Sequence, residues 1–268
     1  MSSPTTRPLA VVTGASSGIG YQLAKQFAEH GYDLVVAAED RGIATAARDL
    51  ESLGVRAEPV QVDLATAAGV ERLYETARAG GRPIDAAALN AGVGVSGDFA
   101  RETDLNDELR LINLNVVSQV HLAKRVLQDM VPRGEGRLLF TSSIAATMPG
   151  PWEATYAASK AFLLSFAEAI RHELRDTGVT VTVLMPGPTE TEFFERAGMQ
   201  DTKVGASDSK DDPAEVARQG FEALMAGKDK VVAGSVKNKV QAAAARAVPE
   251  PAKAAMHGRL AEPGSASR

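Results

Sequence analysis

Leu9, Ala10, Val11 and Val12 form a short apolar run that passes directly into Thr13-Gly14-Ala15-Ser16-Ser17-Gly18-Ile19-Gly20, after which residues 21–30 are amphipathic at helical spacing. An unbroken apolar run of this kind suits a strand covered on both faces of a parallel sheet. Strand, glycine-rich turn and helix in immediate succession make a phosphate-binding device, because the helix start offers unpaired N–H groups and the positive end of its dipole. Gly14 permits the tight turn, Gly18 lets the backbone approach a ligand, and Gly20 lets the helix pack closely on the strand. The spacing is G-x-x-x-G-x-G, not the G-x-G-x-x-G of the general dinucleotide fingerprint. A solvent-exposed glycine loop is therefore the other reading of the same residues.

The rest of the chain repeats the alternation. Apolar segments at 9–12, 34–38, 57–62, 84–89, 137–141, 179–185 and 231–233 read as strands, and helical patterns fall at 18–30, 43–53, 67–78, 102–131, 152–177 and 213–226. Strands alternating with helices predict an α/β fold, a doubly wound parallel sheet of seven strands with helices on both faces. Nothing marks a second compact unit, so residues 1–268 read as one domain with its core at 9–234, a polar stretch at 189–212 that suits a lid, and a helical extension at 235–268. Within that extension, residues 235–246 are rich in alanine and lysine. Val248-Pro249-Glu250-Pro251 interrupts them, and a helical pattern resumes at 252–261. Lys237 and Lys239 suggest a membrane surface, but the apolar side is mostly alanine and buries too little area for firm insertion. An oligomer contact or a cover over a pocket fits better.

Several classes of function are disfavoured. A net charge of −5 argues against nucleic acid or an anionic membrane as the main partner. With no cysteine there is neither a disulfide nor thiolate chemistry, and the four histidines, His121 and His172 among them, lack metal-ligand spacing, so no metal site is expected. Residues 1–8 are short and polar, unlike a signal peptide, and no apolar run approaches a membrane span. The expectation is a soluble, cytoplasmic protein.

Tyr156 and Lys160 are four residues apart, and Ser143 lies thirteen residues before the tyrosine. Residues four apart share a helix face, so the lysine ammonium can sit beside the phenol, favour phenolate, and lower a pKa that is ordinarily about 10. Such a tyrosine can exchange a proton with a substrate oxygen, to which the Ser143 hydroxyl would also donate. Taken alone the pair is equally a buried tyrosine with a snorkelling lysine.

Taken together, these residues resemble the short-chain dehydrogenase/reductase family, over residues 9–234. The segment 13–20 matches the family's T-G-x-x-x-G-x-G cofactor loop. Asn90-Ala91-Gly92 matches its N-A-G segment, Asn115 the asparagine of its middle helix, Ser143, Tyr156 and Lys160 its active-site trio, and Pro186-Gly187 the turn after its sixth strand. The resemblance implies a Rossmann-like fold and a nicotinamide cofactor held by Gly14, Ser16, Ser17, Gly18, Ile19, Gly20, Asn90, Ala91, Gly92, Pro186, Gly187, Thr189 and Thr191, with Tyr156 and Lys160 at the nicotinamide ribose. Asp63 matches the acidic residue near the adenine; capping the next loop is its alternative role, as an N-cap is for Thr191. Asn115 would interrupt its helix and position a water linking Lys160 to solvent. Relatives pair through the two long helices into homodimers or homotetramers.

Glu39 stands where the family discriminates between cofactors, and its charge would repel the extra phosphate of NADP(H), so NAD(H) is favoured with NADP(H) as the alternative; Arg41 is the opposing signal. The expected substrate is a medium-sized apolar ketone, aldehyde or secondary alcohol, facing Val93, Met148, Trp152, Phe193 and Phe194. Two further functions compete with it. A reductase of carrier-bound acyl thioesters would want basic residues at the pocket mouth, where Arg101, Arg196 and Lys203 are few. A non-enzymatic dinucleotide sensor would not need every catalytic position filled.

Overall fold

The structure, a computed structural model, describes residues 7–235 and 248–267. The lysines Lys237 and Lys239 lie outside the described residues. Seven parallel strands, β1 (Leu9–Thr13), β2 (Asp33–Ala38), β3 (Ala57–Gln61), β4 (Ala86–Leu89), β5 (Gly136–Thr141), β6 (Val179–Pro186) and β7 (Lys230–Ala233), form one sheet in the order β3-β2-β1-β4-β5-β6-β7. The order reverses between β1 and β4, and in doubly wound sheets a crevice opens there, beyond the carboxyl ends of the strands.

The inner strands β1, β2, β4, β5 and β6 are buried on both faces, which explains their continuous apolar runs, whereas the edge strands β3 and β7 are only partly covered. In β1, Leu9 and Val11 enter one core while Ala10 and Val12 enter the other. The first core is roofed by α3 (Ala67–Arg78), α5 (Ser118–Arg133) and α6 (Ala154–Glu173) through Leu73, Met130 and Leu163. The second lies under α1 (Gly18–Glu29), α2 (Ile43–Glu51) and α8 (Pro213–Met225), where Phe27 meets Tyr32 and Phe221 edge to face at 5.2 and 5.1 Å.

The expected helix at 102–131 is three pieces. It begins later, as α4 (Leu105–Ile112), because the Asp104 side chain caps it by accepting from the Asn106 N–H at 2.7 Å. A π-helical turn at Asn113–Val117 then separates α4 from α5, so the interruption expected at Asn115 is present as a widened turn and not as a break. The tail contributes α9 (Glu250–Ala261), close to the helical pattern read at 252–261. The segment 189–212 holds a short helix, α7 (Phe193–Arg196), and has buried residues, Met199 and Thr202, at its centre.

Candidate active site

The carboxyl ends of β1, β4, β5 and β6 open into one cavity of about 1080 Å³. All of the residues that the family resemblance assigns to the cofactor line it. At its floor, a Cβ on Gly20 would lie 2.0 Å from the Gly14 carbonyl oxygen, so only glycine allows α1 to start so close to β1. Gly14 itself has φ +66°, a left-handed conformation. Ser17, at the N-cap of α1, makes no side-chain capping bond, leaving the helix-start N–H groups to an external acceptor. Bare backbone and an uncapped helix start both fit a pyrophosphate. The Thr13 hydroxyl fastens the loop to the neighbouring strand by accepting from the N–H groups of Asn90 and Ala91 at 2.9 and 3.0 Å.

At the adenosine end, Arg110 of α4 donates to Glu39 at 2.7 Å and to Asp63 at 3.0 Å. Burial works to raise the Asp63 carboxyl, and Arg110 with the Ala65 N–H outweighs it, holding Asp63 below the usual carboxylate range. Ser16 gives its hydroxyl to Asp40 at 2.6 Å. At the other end Thr189 donates to the Gly187 carbonyl at 2.9 Å, and Thr191 packs over Gly18. The capping role open to Thr191 is slight, with the Phe193 N–H 3.4 Å from its hydroxyl and Glu192 at the N-cap position of α7.

Ser143, Tyr156 and Lys160 converge on the cavity between these ends. The two adjacent serines divide their roles. Ser142 is buried and donates to the Lys160 carbonyl at 2.8 Å, tying β5 to α6, while the Ser143 hydroxyl accepts from the Ala145 N–H at 3.1 Å and lines the cavity with Tyr156. Lys160 donates from Nζ to the Thr141 carbonyl at 3.0 Å and lies 5.6 Å from the centre of the Tyr156 ring. The expected direction of tuning is reversed here. Burial, then the Glu153 carboxylate, push the Tyr156 phenol above its ordinary pKa, against the lowering effect of Ser143, and burial brings Lys160 down to about 8. Desolvation dominates, so the phenol holds its proton.

Asn115 does not line the cavity. It is fully buried behind it, accepting from the Val93 N–H and donating to the Val93 carbonyl, both at 2.9 Å, and donating to Ser159 at 3.1 Å. Ser159 in turn donates to the Tyr156 carbonyl at 2.7 Å, so Asn115 braces both the cavity floor and the tyrosine's helix. Of the residues expected to face substrate, Val93, Met148, Phe193 and Phe194 line the cavity, and the Phe193 ring lies 5.2 Å from that of Tyr156. Trp152 does not. It sits behind, at φ +68°, packed against Phe194, Ala197, Met199 and Ala261, and so supports the wall without forming it.

Comparison with known proteins decides the family. The short chain dehydrogenase family profile matches residues 8–202. The chain belongs to this family. It is an NAD(P)-dependent oxidoreductase. A 1-deoxy-11-beta-hydroxypentalenate dehydrogenase of Streptomyces exfoliatus is 36% identical over 207 residues, 74% of this chain and 75% of the relative. The 3-oxoacyl-acyl-carrier-protein reductase of Escherichia coli is 32% identical over 199 residues, 74% and 79% of the two chains. A short chain dehydrogenase of Pseudocercospora fijiensis is 32% identical over 186 residues, 69% of this chain, which spans 60% of that relative's length. Among solved structures, a Sphingobium yanoikuyae short-chain dehydrogenase in complex with NADPH superposes with a TM-score of 0.76 at 29% identity, over 84% of this chain and 87% of the other. One from Burkholderia phymatum, in complex with NAD, gives 0.80 at 24% identity, over 91% and 94%, and shares the fold.

Three residues of this dehydrogenase's site escape sequence reasoning: Arg110, Glu153 and His257. Arg110 lies in a helix remote in sequence from Glu39 and Asp63. Glu153 opens α6 beside Tyr156 and pairs with His257 at 3.0 Å, so that α9 joins the cavity wall. An acidic residue three positions before the tyrosine was visible as a signal; its partner was not. Among the described residues no helix is long and apolar enough to cross a membrane, and no cluster of acidic or histidine side chains suits a metal ion.

Proposed function

We propose that the chain reduces a medium-sized apolar ketone or aldehyde, or oxidises the corresponding secondary alcohol, with NAD(H) as the favoured cofactor. The observation that carries this reading is the convergence of Ser143, Tyr156 and Lys160 on one cavity with an uncapped glycine-loop helix at one end and Met148, Phe193 and Phe194 at the other. The glycine loop, Asn90, Ala91 and Gly92 hold the dinucleotide, Glu39 and Asp63 face its adenosine, and Thr189 and Thr191 its nicotinamide end. The bound group supplies a hydride donor or acceptor. The chain's own residues handle the oxygen. Tyr156, its proton retained by burial, gives that proton to the carbonyl oxygen as negative charge develops, and Ser143 donates a hydrogen bond to the same atom. The buried Lys160 ammonium opposes the negative charge left on the tyrosine. The apolar wall excludes water and orients the substrate's hydrocarbon part.

A second reading, reduction of a carrier-bound acyl thioester, gains support from Arg196 and Lys203 on the cavity lining and from the acyl-carrier-protein reductase relative. Arg196 is, however, already paired with Glu192. Assay of NADH and NADPH with a panel of ketones, aldehydes, secondary alcohols and a 3-oxoacyl thioester separates the readings. Turnover of apolar ketones, lost in Tyr156→Phe while NADH still binds, is the expected result; no turnover of any member with tight NADH binding points to a sensor. Leu105, Leu109, Val117 and Phe162 are exposed on α4, the π-turn and α6, and their cover in a homodimer or homotetramer belongs to the same proposal. Light scattering that finds only monomer rejects it.

A further inference from the structure

Helix α9 forms part of the cavity wall through Met256, His257 and Leu260. It is held from two directions. On one side it joins the segment after β6, where the Val204 N–H donates to the Leu260 carbonyl at 3.1 Å and the Gly264 N–H donates to Asp201 at 2.8 Å. On the other, His257 Nε2–H donates to a Glu153 carboxylate oxygen at 3.0 Å, with side-chain exposures of only 14% and 7%. Gly258 faces Pro151, where an added Cβ would lie 3.6 Å away, so the helix backbone approaches the loop before α6 closely.

Glu153 has a reason to keep this partner. A buried carboxylate left without a counter-charge or hydrogen bond is costly. Its charge also acts on the Tyr156 phenol three residues along, where a second uncompensated negative charge would oppose the developing tyrosinate. The residues around His257 have a different character. Met256 and Leu260 line the cavity yet are 56% and 45% exposed, which is apolar surface that the protein's own core leaves uncovered.

We propose that His257 is a positioning residue whose hydrogen bond to Glu153 latches α9 over the substrate end of the cavity, so that Met256 and Leu260 select a bulky apolar carbonyl compound, aryl or alicyclic, over a small one. The inference rests on the carbonyl-reductase reading above. It is tested on the full chain with His257→Ala and His257→Gln, the glutamine amide being able to restore the bond to Glu153. Three quantities are read: amide exchange over residues 250–261, NADH affinity, and KM and kcat for acetophenone and acetone.

In the alanine variant α9 amides exchange about tenfold faster, as loss of one hydrogen bond to a charged group implies. NADH affinity stays within about twofold, since the latch is remote from the dinucleotide loop. The acetophenone KM rises about tenfold while the acetone KM moves little, and kcat falls by a common factor for both ketones, as an uncompensated Glu153 beside Tyr156 implies. Glutamine brings both exchange and KM back. Unaltered exchange in the alanine variant overturns the latch, and equal KM changes for both ketones overturn its selecting role. If the wild type reduces neither ketone, the functional reading fails by itself, and the exchange rates still decide whether His257 holds the helix. Should the alanine variant lose NADH binding through misfolding, His257→Leu, which keeps side-chain volume without the hydrogen bond, is read in the same way.

Discussion

Arg110 Nη2 lies 2.7 Å from Glu39 Oε2, so the carboxylate expected to choose between the two dinucleotides is already paired with a cation. The pair is well exposed and contributes little to stability, but it alters what a 2′-phosphate would meet. Glu39 opposes such a phosphate and Arg110 attracts it. Glu39→Gln removes the opposition and leaves the attraction, and is expected to shift the NADPH-to-NADH affinity ratio about tenfold toward NADPH. Adding Arg110→Ala should cancel most of that shift. Fluorescence titration of both reduced cofactors measures it; an unchanged ratio in Glu39→Gln would mean that another residue discriminates.

The buried Lys160 gives the ligand-free protein a pH-dependent stability of known sign. Burial lowers its pKa from 10.5 to about 8, so between these values the unfolded chain keeps a proton that the folded chain has released. Below about pH 8 both states are charged and the fold carries the full cost of burying the ammonium. Stability from this group therefore rises as pH increases from about 8 to about 10.5, by at most about 3 kcal/mol. Urea unfolding of wild type and Lys160→Met isolates the effect, because both proteins carry the same tyrosines. The wild type should gain on the variant across that window, and parallel curves contradict the assignment.

The neighbouring serines give opposite outcomes. Ser142→Ala removes a buried hydrogen bond to the Lys160 carbonyl, with an expected loss of about 1–3 kcal/mol in stability and turnover largely kept. Ser143→Ala leaves the fold intact and should lower kcat by about 10²–10³ with NADH binding retained, as for loss of one donor to a developing oxyanion. Paired thermal melts and single-turnover rates check both. Similar kinetics for the two variants would remove Ser143 from the reaction.

What the sequence disclosed followed from how local each signal was. Strands buried on both faces announce themselves as apolar runs, and the turn at 13–20 carries its own glycines, so sheet and cofactor loop were legible. The hydrophobic pattern at 102–131 shows no break, because the π-turn at Asn113–Val117 adds a residue without ending the helix, and only the family resemblance pointed to an interruption at Asn115. Trp152 was assigned to the substrate wall on polarity and position, neither of which reveals that its backbone at φ +68° turns the indole behind that wall. The ion pairs at the site were hidden for another reason. Arg110 reaches Glu39 across 71 positions and His257 reaches Glu153 across 104, distances at which only the folded chain decides the partner. The Tyr156 shift runs opposite to the expected direction because helix spacing shows the lysine but not the burial of the phenol or the effect of Glu153.

Gly20 offers the most direct test of the dinucleotide loop. An alanine methyl there would lie 2.0 Å from the Gly14 carbonyl oxygen and 2.5 Å from the Asn90 amide, and backbone on one side leaves it no room to move aside. The turn must open, which displaces the N–H groups at the start of α1 that face the cavity. Gly20→Ala is therefore expected to weaken NADH binding at least about a hundredfold, the effect of losing two charge-assisted hydrogen bonds. The β1–β4 pairing beneath should survive, because Val12 and Ala88 lie deeper in the sheet. Gly198, with nothing within 4 Å of its added Cβ, is the control: Gly198→Ala carries backbone strain at φ +69° yet should bind NADH as the wild type does. Isothermal titration with NADH, alongside far-ultraviolet circular dichroism to establish that the sheet persists, distinguishes a damaged loop from a damaged fold. Tight NADH binding by a folded Gly20→Ala protein would place the dinucleotide elsewhere.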